Sequence, residues 1–196
     1  MVELKRDPSE IGQQLFYGVN RKKSYKEAFP YLLIAAKMGD AHCQNLVGYC
    51  YEKGLGIKKD IQSALFWYEQ AADNCDIEGI GNLALFYELG KGKEVNQEKA
   101  FLLYKKAAKL GDAWAQCNLG IAYLEGLGTE PDPKEGIKWL RTSARKGDAK
   151  SQYNLGIQYL DGKAVKKNIR YARVWLNKAA QQGHKKASTV LESVAI

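Results

Sequence analysis

Between residues 113 and 125, Ala115, Leu119, Ala122 and Tyr123 recur at steps of three and four, which lays one apolar stripe along a helix. Ile137, Leu140 and Ala144 repeat the spacing in the next segment. The pattern predicts a helix pair, A followed by B. The polar positions mark its ends. Asp112 stands where helix A needs an N-cap, and Gly126 where it needs a left-handed residue after its last turn. Asp60, Asn96, Asp132 and Asn168 fall at the corresponding cap of later B helices, Ser24 takes that place in the first, and Gly39, Gly111, Gly147 and Gly183 follow the B helices.

This unit recurs every 36 residues. Ala-Ala pairs fall at 35–36, 71–72, 107–108 and 179–180, with Ser143-Ala144 in the remaining slot. Gly12, Gly48, Ala84, Gly120 and Gly156 form a small-residue column that lets B lie close to A. Tyr31, Trp67, Leu103, Trp139 and Trp175 form a large one, expected to fill the space between neighbouring pairs. Five copies result, at about 5–40, 41–76, 77–112, 113–148 and 149–184, and we read residues 1–196 as a single repeat domain. Residues 185–196 are expected to form a capping helix with Ala187, Val190, Leu191 and Val194 facing in. Pro30 falls inside the first B helix, where it removes one backbone hydrogen bond and should bend the helix. One helix pair cannot bury both its faces, so the pairs must stack.

The fourth copy carries Leu119-Gly120 followed by Tyr123, then Gly126-Leu-Gly128; the second carries Ala64 followed by Trp67-Tyr68 and Ala71-Ala72. These columns resemble the Sel-one-like repeat family, kin of the tetratricopeptide repeats, and a 36-residue period favours it over the 34-residue tetratricopeptide form. The expected fold is all-α, a right-handed α-solenoid (superhelix) of five helix-pair repeats plus the C-terminal cap. The handedness rests on analogy with related helix-pair repeats. The resemblance implies an adaptor or scaffold that binds proteins or peptides, with no shared chemistry.

Charge adds a second feature. The formal net charge is +8, and residues 149–196 hold nine Lys or Arg against two Asp or Glu. Such a region attracts an acidic partner, an anionic surface or nucleic acid, although a charge run is usually a solvated face. Cys43, Cys50, Cys75 and Cys117 form no C-x-x-C pair, and only His42 and His184 are available to join them at a metal. Cys43 and Cys50 lie about 10 Å apart along a helix, too far for a disulfide. All four are read as reduced thiols. No stretch suits a membrane span, and the charged start, through Lys5, Arg6 and Asp7, does not suit a signal peptide. The expected location is cytoplasmic.

In the related tetratricopeptide superhelix the A helices line the concave face. Carried over by register, this selects His42, Asn45 and Tyr49 in the second copy, Asn82 in the third, Trp114 and Asn118 in the fourth, and Lys150, Tyr153 and Asn154 in the fifth. Asn82, Asn118 and Asn154 share one column. An Asn amide both donates and accepts, so such a ladder suits an extended peptide backbone, or else a neighbouring repeat's loop. Tyr49, Trp114 and Tyr153 are candidate aromatic anchors. Ser143-Ala-Arg-Lys146 matches the Ser-x-x-Lys pattern of penicillin-recognising enzymes. Ser143, however, falls in the small buried column and Lys146 in a turn. The sequence therefore reads as a protein- or peptide-binding adaptor, not an enzyme, without cofactor, metal or catalytic residues. A nucleic-acid or anionic-surface binder acting through 149–196 is the less favoured alternative, and a β-lactam-binding or hydrolysing protein comes third.

Overall fold

The computed structural model describes residues 7–193. Among them stand eleven helices and no strand: α1 (Pro8–Tyr17), α2 (Tyr25–Lys37), α3 (Ala41–Lys53), α4 (Ile61–Asp73), α5 (Ile77–Leu89), α6 (Gln97–Lys109), α7 (Ala113–Glu125), α8 (Pro133–Arg145), α9 (Ala149–Asp161), α10 (Ile169–Gln181) and α11 (Lys185–Ser193). Odd-numbered helices up to α9 are the A helices and even-numbered ones the B helices.

The helix ends follow from side-chain chemistry. Asp40, Asp76, Asp112 and Asp148 each accept a hydrogen bond from the backbone N–H three residues on, and Asp7 accepts one from Ser9. Ser24, Asp60, Asp132 and Asn168 cap α2, α4, α8 and α10 in the same way. Each cap contributes about 1 kcal/mol. Gly126 ends α7 at φ +72°, and Gly18, Gly54, Gly90 and Gly162 do the same for the other A helices. The second glycine of the Gly-x-Gly loop has a different cause. A Cβ on Gly128 would lie 2.1 Å from the Gln97 carbonyl oxygen, because the A–B loop presses on the start of the preceding B helix. Pro30 sits within α2, which continues through it to Lys37.

The described helices fall into two compact units, divided after Asn96. In the first, α1–α2 and α3–α4 pair as hairpins, α2 packs on α3, and α4 packs on α5. Its core joins Leu15, Phe16, Phe29, Leu32, Val47 and Cys50. In the second, α7–α8 and α9–α10 are the hairpins, α6 packs on α7, α8 on α9, and α11 on α10. Within each unit the elements stack in chain order, as a helix-pair repeat requires. The small column works as expected. A Cβ on Gly48 would meet the Tyr68 ring at 2.8 Å, and one on Gly156 would meet Leu176 Cγ at 2.7 Å. Ala187 is fully buried, and Val190 and Leu191 pack with it against Leu176 and Ala179. The expected contact of Val194 lies outside the described residues.

A second device, present in the second, fourth and fifth copies, ties a repeat to the one before it. Gln44, Gln116 and Gln152 are buried at 4% exposure or less. Their Nε2 atoms donate to the carbonyls of Ala36, Ala108 and Ala144, 3.0–3.1 Å away, near the ends of the preceding B helices. Each of these carbonyls also accepts from the glycine N–H three residues on, Gly39, Gly111 or Gly147 at 3.1–3.2 Å, so the amide takes up its second acceptor site.

Candidate functional site

The predicted binding residues divide between the two units. In the first, Asn82 donates through Nδ2 to Asn45 Oδ1 (2.8 Å), and Asn45 donates to Glu78 Oε2 (3.1 Å). Asn45 is only 2% exposed, so its amide serves the packing of α3 on α5. His42 sits 3.5 Å from Asp76 and 3.1 Å from the Tyr17 hydroxyl. Its hydrogen bond to Asp76 raises the imidazole pKa above the usual value against the opposing effect of burial. Tyr49 is exposed, lies edge-on to Phe16 and has Lys53 above its ring. The exposed Tyr49 and the partly exposed Asn82 are thus held by neighbours that are already hydrogen-bonded or packed.

The second unit gathers three of the predicted residues at one groove. Lys150, Tyr153 and Asn154 on α9 face Ile121 and Glu125 on α7 across a space of about 540 Å³. Leu124 and Ile157 add an aliphatic lining, and Gln158 and Lys163 add polar groups. Capping residues position the site. Asp148 fixes the start of α9 through Ser151 N–H (2.6 Å), and His184 stacks on Tyr153 with ring centroids 4.5 Å apart. Lys150 Nζ donates to Asn118 Oδ1 (3.0 Å), while Asn118 Nδ2 is buried without a partner. Asn154 makes no hydrogen bond among the described residues and lines the groove. Trp114 lies edge-on to Tyr104 of the preceding B helix, centroids 5.6 Å apart, which places it in inter-repeat packing.

The nucleophile patterns are engaged elsewhere. Ser143 is fully buried, its Oγ donates to the Ala113 carbonyl (2.6 Å), and it pairs with Ser151 Oγ (2.8 Å). Lys146 Nζ donates to the Gly111 carbonyl (2.6 Å). Neither is aimed at the other or at the groove. All four cysteines are free thiols, with Cys75 exposed and the others buried. Burial pushes the Cys43 and Cys117 thiols up to about 11 and Cys50 to about 12, so none is a ready thiolate. Among the described residues, no group of three His, Cys, Asp or Glu side chains could hold a metal ion. No helix there is long and apolar enough to cross a membrane.

The sequence reading missed the Gln44, Gln116 and Gln152 column. It was visible at the 36-residue period, with Pro8 and Ile80 in the two copies that lack it. It also missed Glu52, which is 8% exposed and accepts hydrogen bonds from Tyr68 OH, Lys91 Nζ and Lys53 Nζ at 2.8–3.0 Å. Burial alone would raise the Glu52 pKa, but the bonds from Lys91 and Lys53 hold it below the usual value.

Comparison with known proteins bears on these helix pairs directly. The profile of the Sel1 repeat matches residues 10–40, 41–74, 78–112, 115–148 and 149–184. The chain belongs to the Sel1 repeat family. The five matches fall on the five copies read from the 36-residue period. A Sel1 repeat protein from Oxalobacter formigenes superposes with a TM-score of 0.88 at 29% identity, covering 95% of this chain and 74% of that one. A protective antigen of uropathogenic Escherichia coli strains, displaying an SLR fold, gives 0.81 at 29% identity, covering 92% of this chain and 38% of the other. The human protein sel-1 homolog 2 is 42% identical over 64 residues, which is 32% of this chain and 9% of that protein. The chitin synthase regulator SKT5 of Saccharomyces cerevisiae is 40% identical over 62 residues, again 32% and 9%. The matched part thus spans about a tenth of these curated relatives. Sel1 repeats generally form protein-interaction scaffolds and are typically non-enzymatic.

Proposed function

We propose that this Sel1 repeat chain is an adaptor that holds an extended segment of a protein partner in the α7–α9 groove. The observation that carries the reading is the pairing of an aliphatic lining with the unspent amide of Asn154, beside Tyr153 and Lys150. Ile121, Leu124 and Ile157 take apolar side chains, and a primary amide both donates to and accepts from a peptide backbone. Tyr153 is a rigid aromatic anchor, since His184 already restricts its ring. Within the first unit, taken by itself, Tyr49 is the exposed aromatic candidate.

The test begins with peptides selected from a random display library on the intact protein, then titrated against it. Asn154→Ala with Tyr153→Ala should weaken the selected peptides by about tenfold or more, the usual effect of losing an interface anchor. The circular dichroism should stay unchanged. Binding should vary little with salt, because the groove presents mainly amide and apolar contacts. Unchanged affinity in the double variant would refute the site. A steep loss between low and moderate salt would favour the polyanion reading of residues 149–196 instead.

A further inference from the structure

A second cavity in the same unit has a different chemistry. It measures about 450 Å³ and is lined by Arg141 from α8, Tyr159 from α9, Lys166 and Lys167 from the loop, and Tyr171 from α10. Arg141 donates through Nη2 to the Tyr159 hydroxyl at 2.9 Å, which leaves most of its donors unspent. Among the described residues, no carboxylate forms an ion pair with Arg141, Lys166 or Lys167. Tyr159 and Tyr171 stack with centroids 5.5 Å apart and an interplanar angle of 28°, and Tyr171 is 56% exposed. Three cations thus converge beside an aromatic wall with no acid to balance them.

The repeat provides its own control. The same place in the first copy is a cavity of about 450 Å³ lined by Leu15, Arg21, Lys22, Lys23, Ser24 and Glu27, so it too holds three cations, but with a carboxylate among them. There Glu27 occupies the slot of Tyr171 and accepts a hydrogen bond from Ser24 Oγ (3.2 Å). In the second copy Asp60 holds the slot of Asn168. In the third, Glu94 holds that of Lys166 and Glu69 that of Arg141, and Lys93 bridges Glu69 (2.6 Å) and the Tyr87 hydroxyl (2.9 Å). The fourth has Glu130, Asp132 and Glu135. Every other copy carries a carboxylate in this set of positions, and the fifth carries none. The fifth copy is thus the one whose cations face no carboxylate at these positions, a gap that an external anion would fill.

We propose that this pocket binds a phosphoryl group carried on a side chain of a protein partner. A half-buried guanidinium flanked by two ammonium groups suits a dianion with three acceptor oxygens. The Tyr159–Tyr171 pair and Val165 give the apolar wall that an aryl phosphate needs. The concentration of cations in one concavity favours a single phosphoryl group over an extended strand of nucleic acid. The peptide carrier rests on the adaptor reading, whereas the anion preference rests on the pocket alone.

The probes are a short fluorescent peptide with a central phosphotyrosine, its phosphoserine and unphosphorylated twins, and oligothymidylate. Phosphorylated peptide should bind about tenfold or more tighter than the unphosphorylated twin, in line with charge-assisted bidentate bonds. Arg141→Met should abolish that difference. Tyr171→Glu, at an exposed position where folding is not at stake, should abolish it as well, because it restores the carboxylate of the first copy. Lys185→Gln with Lys186→Gln should retain it, and so should Tyr153→Ala with Asn154→Ala, so that this pocket and the α7–α9 groove fail separately. Equal affinity for phosphorylated and unphosphorylated peptides would overturn the proposal. So would a preference that survives Tyr171→Glu, equal loss in the Lys185 and Lys186 control, or tighter binding of oligothymidylate than of phosphopeptide.

Discussion

Replacing Gly120 with Ala tests the close packing that builds the α7–α8 hairpin. The added methyl would lie 2.9 Å from Leu140 Cγ, 3.0 Å from the Gly136 carbonyl oxygen and 3.1 Å from Leu140 Cδ2. Leu140 is fully buried, and the carbonyl belongs to the facing helix, so neither yields without moving α8. Two effects oppose. Alanine in a helix interior gains about 1 kcal/mol over glycine. Overpacking a close contact costs about 1–3 kcal/mol, and a clash against backbone falls toward the upper end. The net expectation is a loss of about 1–2 kcal/mol, or roughly 2–8 °C in the melting temperature of a chain this size. Gly136→Ala should act alike, since its methyl would meet the Gly120 carbonyl at 2.9 Å. The double variant should cost less than the sum, because one separation of α7 from α8 relieves both clashes. Urea melts followed by tryptophan fluorescence measure the loss, and hydrogen exchange should localise it to α7 and α8. A variant as stable as the parent, or more stable, would refute the claim that close backbone approach requires this glycine.

Cys75 is exposed and holds φ +63° where four other copies place glycine, so Cys75→Gly should stabilise the chain by about 0.5–1 kcal/mol in thermal melts. Glu52→Gln removes the carboxylate charge that Lys91 and Lys53 share and one of its two acceptor oxygens, and should cost about 1–3 kcal/mol at neutral pH. The folded pKa of Glu52 is depressed, so its contribution is present above the ordinary carboxyl range and fades as pH falls through that folded value; urea melts of Glu52→Gln and parent should therefore converge in acid. His42 has a raised folded pKa, so its pairing with Asp76 stabilises fully below about pH 6.5 and is lost as pH rises through the folded value. His42→Gln should remove a gain of under about 1 kcal/mol between pH 8 and pH 6, measured by urea melts across that range, the pair being partly exposed.

Much of the fold was legible because its causes are local. The Asp112 cap, the left-handed Gly126 and the stripe of Ala115, Leu119 and Ala122 each act within one helix and recur at a fixed period. The site was less legible because its contacts cross repeats. Asn45 reaches Glu78 and Asn82, and Lys150 reaches Asn118, over separations of 32 to 37 residues. Such bonds depend on the angle between successive hairpins, which the period does not encode. The Asn ladder shows the consequence: one column of identical residues meets three environments. Asn82 bonds to Asn45, Asn118 to Lys150, and Asn154 opens onto the groove. Likewise, the charge count over 149–196 gave the sign of the region, while only the structure brought Arg141, a residue outside that segment, beside Lys166 and Lys167.

The central claim is recognition of an extended peptide between α7 and α9. Its most direct measurement is amide NMR of the labelled chain titrated with a library-selected peptide. The largest shifts should cluster at Ile121, Glu125, Tyr153, Asn154 and Ile157 and vanish in Tyr153→Ala with Asn154→Ala. Shifts confined to other surfaces, with these amides unmoved at saturation, would contradict it.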